Sequence, residues 1–135
     1  MGIKYKIADD IMERVCEIVK TLEHDHVRLS GVYAVRSYGS KSRGTLARCH
    51  ALSKIWQLAL GIKAVYIIEV ITERFDRLSN EDQDKVLIHE IMHIPKSFGG
   101  GFTHHNVVTT SNVNQMHKEY LRLKELKNDG LNYEN

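Results

Sequence analysis

The chain has 135 residues, 42% hydrophobic and 27% charged, with 19 Lys+Arg, 17 Asp+Glu, 8 His, 2 Cys and 1 Pro. That apolar share can bury a core within one domain spanning residues 1–135 and excludes a disordered tail, and no apolar stretch approaches the roughly 20 residues of a bilayer span. Cys16 and Cys49 lack CxxC spacing, so they supply neither a disulfide scaffold nor a four-Cys metal site and read as buried free thiols in helical segments.

Met1 to Lys6 leads into Asp9, Asp10 and Glu13 instead of an apolar signal core, so a cytoplasmic location with no membrane partner is expected. The net charge of +2 hides a segregation. Residues 26–68 carry Arg28, Arg36, Lys41, Arg43, Arg48, Lys54 and Lys63 with no acid. Such a stretch is either a solvated basic face or a surface for an anionic partner, and the 36–48 segment is where nucleic acid would bind.

Ile7, Ile11, Val15, Ile18 and Leu22 recur at helical spacing, with Asp9 and Asp10 in the first turn, which predicts a helix over Ile7 to Glu23. Gly31 to Tyr38 alternates as a strand, and Gly39 to Gly44 breaks the pattern as a basic loop. A second helix is predicted from Thr45 or the preceding Gly44 through Leu60, with Leu46, Cys49, Leu52, Ile55, Trp56 and Leu60 near one face and Gly61 as its stop. Ala64 to Ile71 is a nearly continuous β-branched and aromatic run, a buried strand.

Ser79 to Gln83 offers capping residues and first-turn acids ahead of Val86, Leu87, Ile88, Ile91 and Met92, so a third helix starts near Asn80. Pro95 ends it within a turn of His93, because proline disfavours α conformation in the residue before it. Lys96 to Asn106, with Gly99-Gly100-Gly101, reads as a loop, and Thr110 or Ser111 caps a last helix closed near Gly130.

His89-Glu90-Ile91-Met92-His93 is an HExxH pattern lying in the most strongly signalled helix. Residues four apart share a helix face, so two imidazoles can address one ion at about 2.0–2.1 Å, while Glu90, rotated about 100° from His89, can reach a water beside it. A catalytic zinc usually takes three protein ligands, so a third is needed. The glycine-rich loop returns His104 and His105 close to His93 in sequence. Adjacent residues of an extended chain face opposite ways, so one of the two is expected to bind, and the residues leave open which. His24, His26, His50 and His117 read as structural, as do Met92, Met116 and Trp56 at core spacing.

These residues resemble the small predicted metallopeptidases of prokaryotes and their viruses, a minimal HExxH zincin group. The resemblance runs from Tyr33-Ala34-Val35-Arg36-Ser37-Tyr38-Gly39-Ser40-Lys41-Ser42-Arg43 through Ile55-Trp56-Gln57-Leu58-Ala59-Leu60-Gly61 and Ile67-Ile68-Glu69-Val70. It continues over His89 to Pro95 and Phe98-Gly99-Gly100-Gly101 to His105, about two thirds of the chain. It implies metal ligands His89, His93 and His105, one Zn2+ per chain, and Glu90 as general base for hydrolysis of a peptide or protein substrate. His104 stands as an alternative ligand or an oxyanion helper. Arg36, Tyr38, His117 and Tyr120 have oxyanion-binding chemistry too but read more simply as surface or packing residues.

The implied fold is α+β: a zincin-like domain with three or four helices on a small mixed or antiparallel sheet, the Ala64 to Ile71 strand lying beside the cleft. If that strand is an edge, a substrate peptide can pair with it. A zinc-stabilised, non-catalytic nucleic-acid-binding module using the basic 36–48 segment is the alternative.

Overall fold

The computed structural model describes residues 2–133. In chain order it contains β1 (Lys4–Ile7), α1 (Asp9–Thr21), β2 (Val32–Tyr38), β3 (Ala47–Ala51), α2 (Lys54–Leu60), β4 (Tyr66–Ile71), α3 (Thr72–Phe75), α4 (Asn80–Met92) and α5 (Thr110–Tyr133). The strands form a mixed sheet in the order β1-β2-β4-β3, with β2 and β4 parallel and the outer pairs antiparallel. The expected α+β architecture is therefore present, with five α-helices among the described residues, one of them the single turn α3.

Strand alternation separates the two faces of the sheet. Val32 and Ala34 pair with Tyr66 and Ile68, and with Val70 they are buried against Ile11, Val15 and Ile18 of α1 and Leu87, Ile88 and Ile91 of α4. Full burial of each such aliphatic side chain is worth about 1.5–3 kcal/mol. Tyr5, Ile7 and Tyr33, on the opposite face, are largely exposed.

The first helix starts two residues later than its periodicity suggests. Ile7 is in β1, and the Ala8 amide still donates to the Ala34 carbonyl at 3.0 Å, so sheet pairing holds the chain extended until Asp9. The strand β1 itself is absent from the pattern-based reading, because Lys4 to Ile7 is only four residues and exposed throughout.

The largest departure lies between residues 45 and 60. A continuous helix there is wrong: Ala47–Ala51 is a strand, and the helix is confined to Lys54–Leu60. Arg48 stands opposite Glu69 and His50 opposite Ile67, so five residues of period-two alternation are satisfied by β4. Cys49 is consequently on a strand, and both cysteines are half-buried instead of fully enclosed. Ile55, Trp56 and Leu60 do not reach the core and are 75%, 58% and 55% exposed, which also overturns the core placement of Trp56. Gly61, in the left-handed region at φ 66°, does end α2 as the sequence suggests.

The 64–71 strand begins at Tyr66 and lies in the interior of the sheet between β2 and β3. It cannot receive a peptide along its backbone, since both its edges are occupied. The edge next to the cleft is β3.

Candidate metal centre

The α4 helix carries the HExxH residues, and its ends are fixed by local chemistry. The Ser79 hydroxyl accepts the Asp82 amide at 3.1 Å, and Arg14 of α1 donates to Gln83 Oε1 at 2.6 Å and to Asp84 Oδ1 at 2.7 Å. Leu87, Ile88 and Ile91 then face the core, which rotates His89 and His93 toward β3 and the loop after Pro95. His93 is the C-cap residue, one step before the chain leaves the helix.

The loop returns His105 to this surface. Ring centroids are 4.8 Å apart for His89 and His93 and 4.9 Å for His93 and His105. One ligand-capable atom from each of the three lies within 4.8 Å of the others, and among the described residues no other group of three His, Cys, Asp or Glu does this. His104 lines the same cleft but does not join the cluster.

The ring nitrogens are differentiated by their neighbours. His93 Nδ1 lies 3.0 Å from the Thr103 carbonyl, which can only accept, so Nδ1 carries the proton and Nε2 has its lone pair free. His89 Nδ1 lies 3.1 Å from Glu90 Oε1. That hydrogen bond raises the His89 pKa above its ordinary value, against the opposing effect of partial burial. Two imidazoles with their outer nitrogens engaged, joined by a third within ligand distance, are a donor set a divalent transition metal takes, so the three residues fit a metal ion.

Glu90 is 5% exposed and borders the cleft beside His89. Cys49, on the facing strand, has its thiol pushed up to about 12, first by burial and then by the nearby Glu90 charge, so it is a neutral wall residue. The cleft of about 380 Å³ at the histidines adjoins a second cavity of about 510 Å³ that shares Ala47, His89 and Glu90. Leu46, Leu78, Val86 and Val113 give this second cavity apolar walls.

Other residues with oxyanion chemistry are engaged elsewhere. Arg36 bridges Asp10 at 2.8 Å and Asp76 at 2.7 Å, His117 and Tyr120 are buried, and none of these borders either cavity. Tyr38 also lies outside both cavities. Within the basic 36–48 segment, Arg36 and Arg48 are in ion pairs, whereas Lys41 and Arg43 are exposed on the loop. His50 bonds Glu69 at 2.7 Å, and the His24 and His26 rings lie 5.4 Å apart, away from the three-histidine cluster.

Tyr66, Gln57 and Thr103 shape the site and were not singled out from the sequence. Their roles depend on contacts 35, 42 and 10 positions away, respectively, for which no local pattern exists.

No helix of the described residues is long and apolar enough to cross a membrane. No curated protein and no solved structure matches the chain. A family model described as "Putative phage metallopeptidase" matches residues 3–129, a span that takes in the sheet, the HExxH helix and the loop with His105, and the chain belongs to that family.

Proposed function

We propose that the protein is a zinc-dependent peptidase whose metal ligands are His89, His93 and His105 and whose general base is Glu90. The observation that carries this reading is the convergence of three imidazoles within 4.8 Å beside a carboxylate that is almost wholly buried. Membership of a metallopeptidase family supports a peptide as the substrate.

When bound, zinc supplies Lewis acidity, lowering the pKa of a water toward about 7 and polarising the scissile carbonyl. The Glu90 carboxylate, fixed on α4 next to His89, takes the proton from the attacking water and returns it to the departing amine. His93 is kept in the tautomer with Nε2 outward by the Thr103 carbonyl. The Glu90 site is half enclosed by Cys49 and the His104–His105 loop, which limits the water that competes for its carboxylate.

The substrate lies along β3, whose one edge pairs with β4 and whose other is open, so an extended peptide adds to the sheet there by backbone hydrogen bonds. The apolar cavity beside His89 and Glu90 then receives one large apolar side chain of that peptide.

The test is elemental analysis of zinc in the wild type and Glu90→Gln, together with new amino termini released from an unfolded protein. One zinc per chain in both, with hydrolysis reduced by about 10²–10⁴-fold in the variant, is expected. Undiminished hydrolysis by Glu90→Gln would sink the general-base role, and a wild type that binds no zinc would sink the whole reading.

A further inference from the structure

The loop that delivers His105 is gripped by a residue of the sheet interior. Tyr66, at the start of β4, is fully buried, yet its hydroxyl accepts the Gly100 amide at 3.0 Å and donates to the Gly101 carbonyl at 2.8 Å. Its ring is flanked edge-on by Phe98 at 4.8 Å and Phe102 at 6.3 Å, the residues on either side of the three glycines.

A second grip comes from α2. Gln57 Nε2 donates to the Gly99 carbonyl at 3.1 Å and to the Leu52 carbonyl at 2.7 Å. Residues 99, 100 and 101 are thus each held through a backbone group. The loop is also close-packed: a Cβ at Gly100, where φ is +102°, would lie 2.5 Å from Gln57 Nε2 and 2.6 Å from the Leu52 carbonyl oxygen. Phe98 is held at φ 46°, a conformation costly for an aromatic residue that persists only when its surroundings enforce it.

We propose that Tyr66 is the positioning residue of the metal site, a latch whose hydroxyl fixes the glycine loop and thereby sets where His105 stands. The proposal rests on the reading of His105 as a ligand. Three residues separate Gly101 from His105, and Thr103 among them is tied to His93 by two hydrogen bonds. His105 is therefore located from two sides, by Tyr66 and Gln57 holding the glycines upstream and by His93 alongside. Three consecutive glycines have more conformations to lose than any other tripeptide, so a loop without the Tyr66 anchor spends much of its time away from the other two imidazoles.

The experiment measures zinc affinity by chelator competition, the visible absorption spectrum of the Co2+-loaded protein, and the denaturant midpoint of the metal-free protein. It compares wild type, Tyr66→Phe, Gly100→Ala and His105→Ala. Tyr66→Phe retains the ring and its packing but loses both loop hydrogen bonds; Gly100→Ala displaces the same loop with the sheet interior untouched and serves if Tyr66→Phe folds poorly. The expected result is a zinc Kd raised about 10–100-fold in both, with Co2+ bands moved toward those of His105→Ala. The metal-free midpoint stays near wild type, because a released loop hydrates its own amides. Zinc held by Tyr66→Phe and Gly100→Ala within twofold of wild type, while His105→Ala loses it, overturns the latch alone, as does an affinity loss matched by loss of metal-free stability. Zinc bound by His105→Ala as tightly as by wild type overturns the ligand reading beneath it, and the latch with it.

Discussion

His93 and Thr103 hold each other through two hydrogen bonds: the Thr103 amide donates to the His93 carbonyl at 2.8 Å, and the Thr103 carbonyl accepts from His93 Nδ1 at 3.0 Å. The first bond satisfies a carbonyl at the end of α4, where four such groups lack helical partners. The second selects the tautomer. Nitrogen NMR of the metal-free protein should therefore show the neutral form of His93 as the Nδ1-protonated tautomer, and zinc should perturb Nε2 while leaving the Nδ1 proton in place. A His93 found protonated at Nε2 would contradict this assignment.

The cavity walled by Leu46, Leu78, Val86 and Val113 also borders Asn114, a half-buried residue of α5. Asn114→Trp should fill its mouth without disturbing the core. The expected outcome is a fall of about tenfold or more in kcat/KM for peptides with a large apolar side chain next to the scissile bond, with alanine-bearing peptides affected far less. Equal effects on both peptide sets would show that substrate side chains do not enter there.

Glu69 faces away from the metal centre and is 1% exposed. Burial raises its pKa, but hydrogen bonds from Ser37 and His50 and the charge of Arg48 outweigh that, so the net shift is downward from 4.5. A carboxyl depressed in the folded protein stabilises it fully above the unfolded value and loses that contribution as pH falls through the folded value. Denaturant unfolding should therefore show a stability loss below about pH 4.5 that is weaker in Glu69→Gln. At neutral pH the same variant should be less stable by about 2 kcal/mol, as the carboxylate's charge-assisted bonds to Arg48 and His50 are weakened.

Arg36 ties the start of α1 to the segment after α3 through Asp10 and Asp76. Burial opposes its charge, but the two carboxylates dominate and raise its pKa, while the hydrogen bond from Arg36 lowers that of Asp10. Both carboxylates are more than half exposed, so the ion pairs are screened. Arg36→Met should cost about 1 kcal/mol at low salt and less at high salt, measured by urea unfolding.

The helices were legible where periodicity and capping agreed. Ser79 caps α4 as its sequence suggests, and Ile11, Val15 and Ile18 are buried as their spacing requires. That His89 and His93 share a helix face and that a loop histidine returns to them was legible for the same reason, whereas spacing left His104 and His105 open and only the family resemblance pointed to His105, the one that joins the cluster. Ala47 to Ala51 was not, because five residues satisfy a helical and a strand period alike and the decision is made by β4, some twenty positions later. Nor could the interior place of β4 be read locally, since strand order depends on which edges find partners.

Tyr66 and Glu69 are three residues apart on one strand and point to opposite sides of it, one toward the glycine loop and the other toward Arg48 and His50. A slip of β4 by a single residue would exchange these faces, driving a carboxylate into the helix-packed interior and withdrawing the hydroxyl from the loop. Errors of strand pairing in this protein would therefore remove the glycine loop's anchor and bury an uncompensated charge in one step, so misfolded chains should be readily recognised by proteolysis.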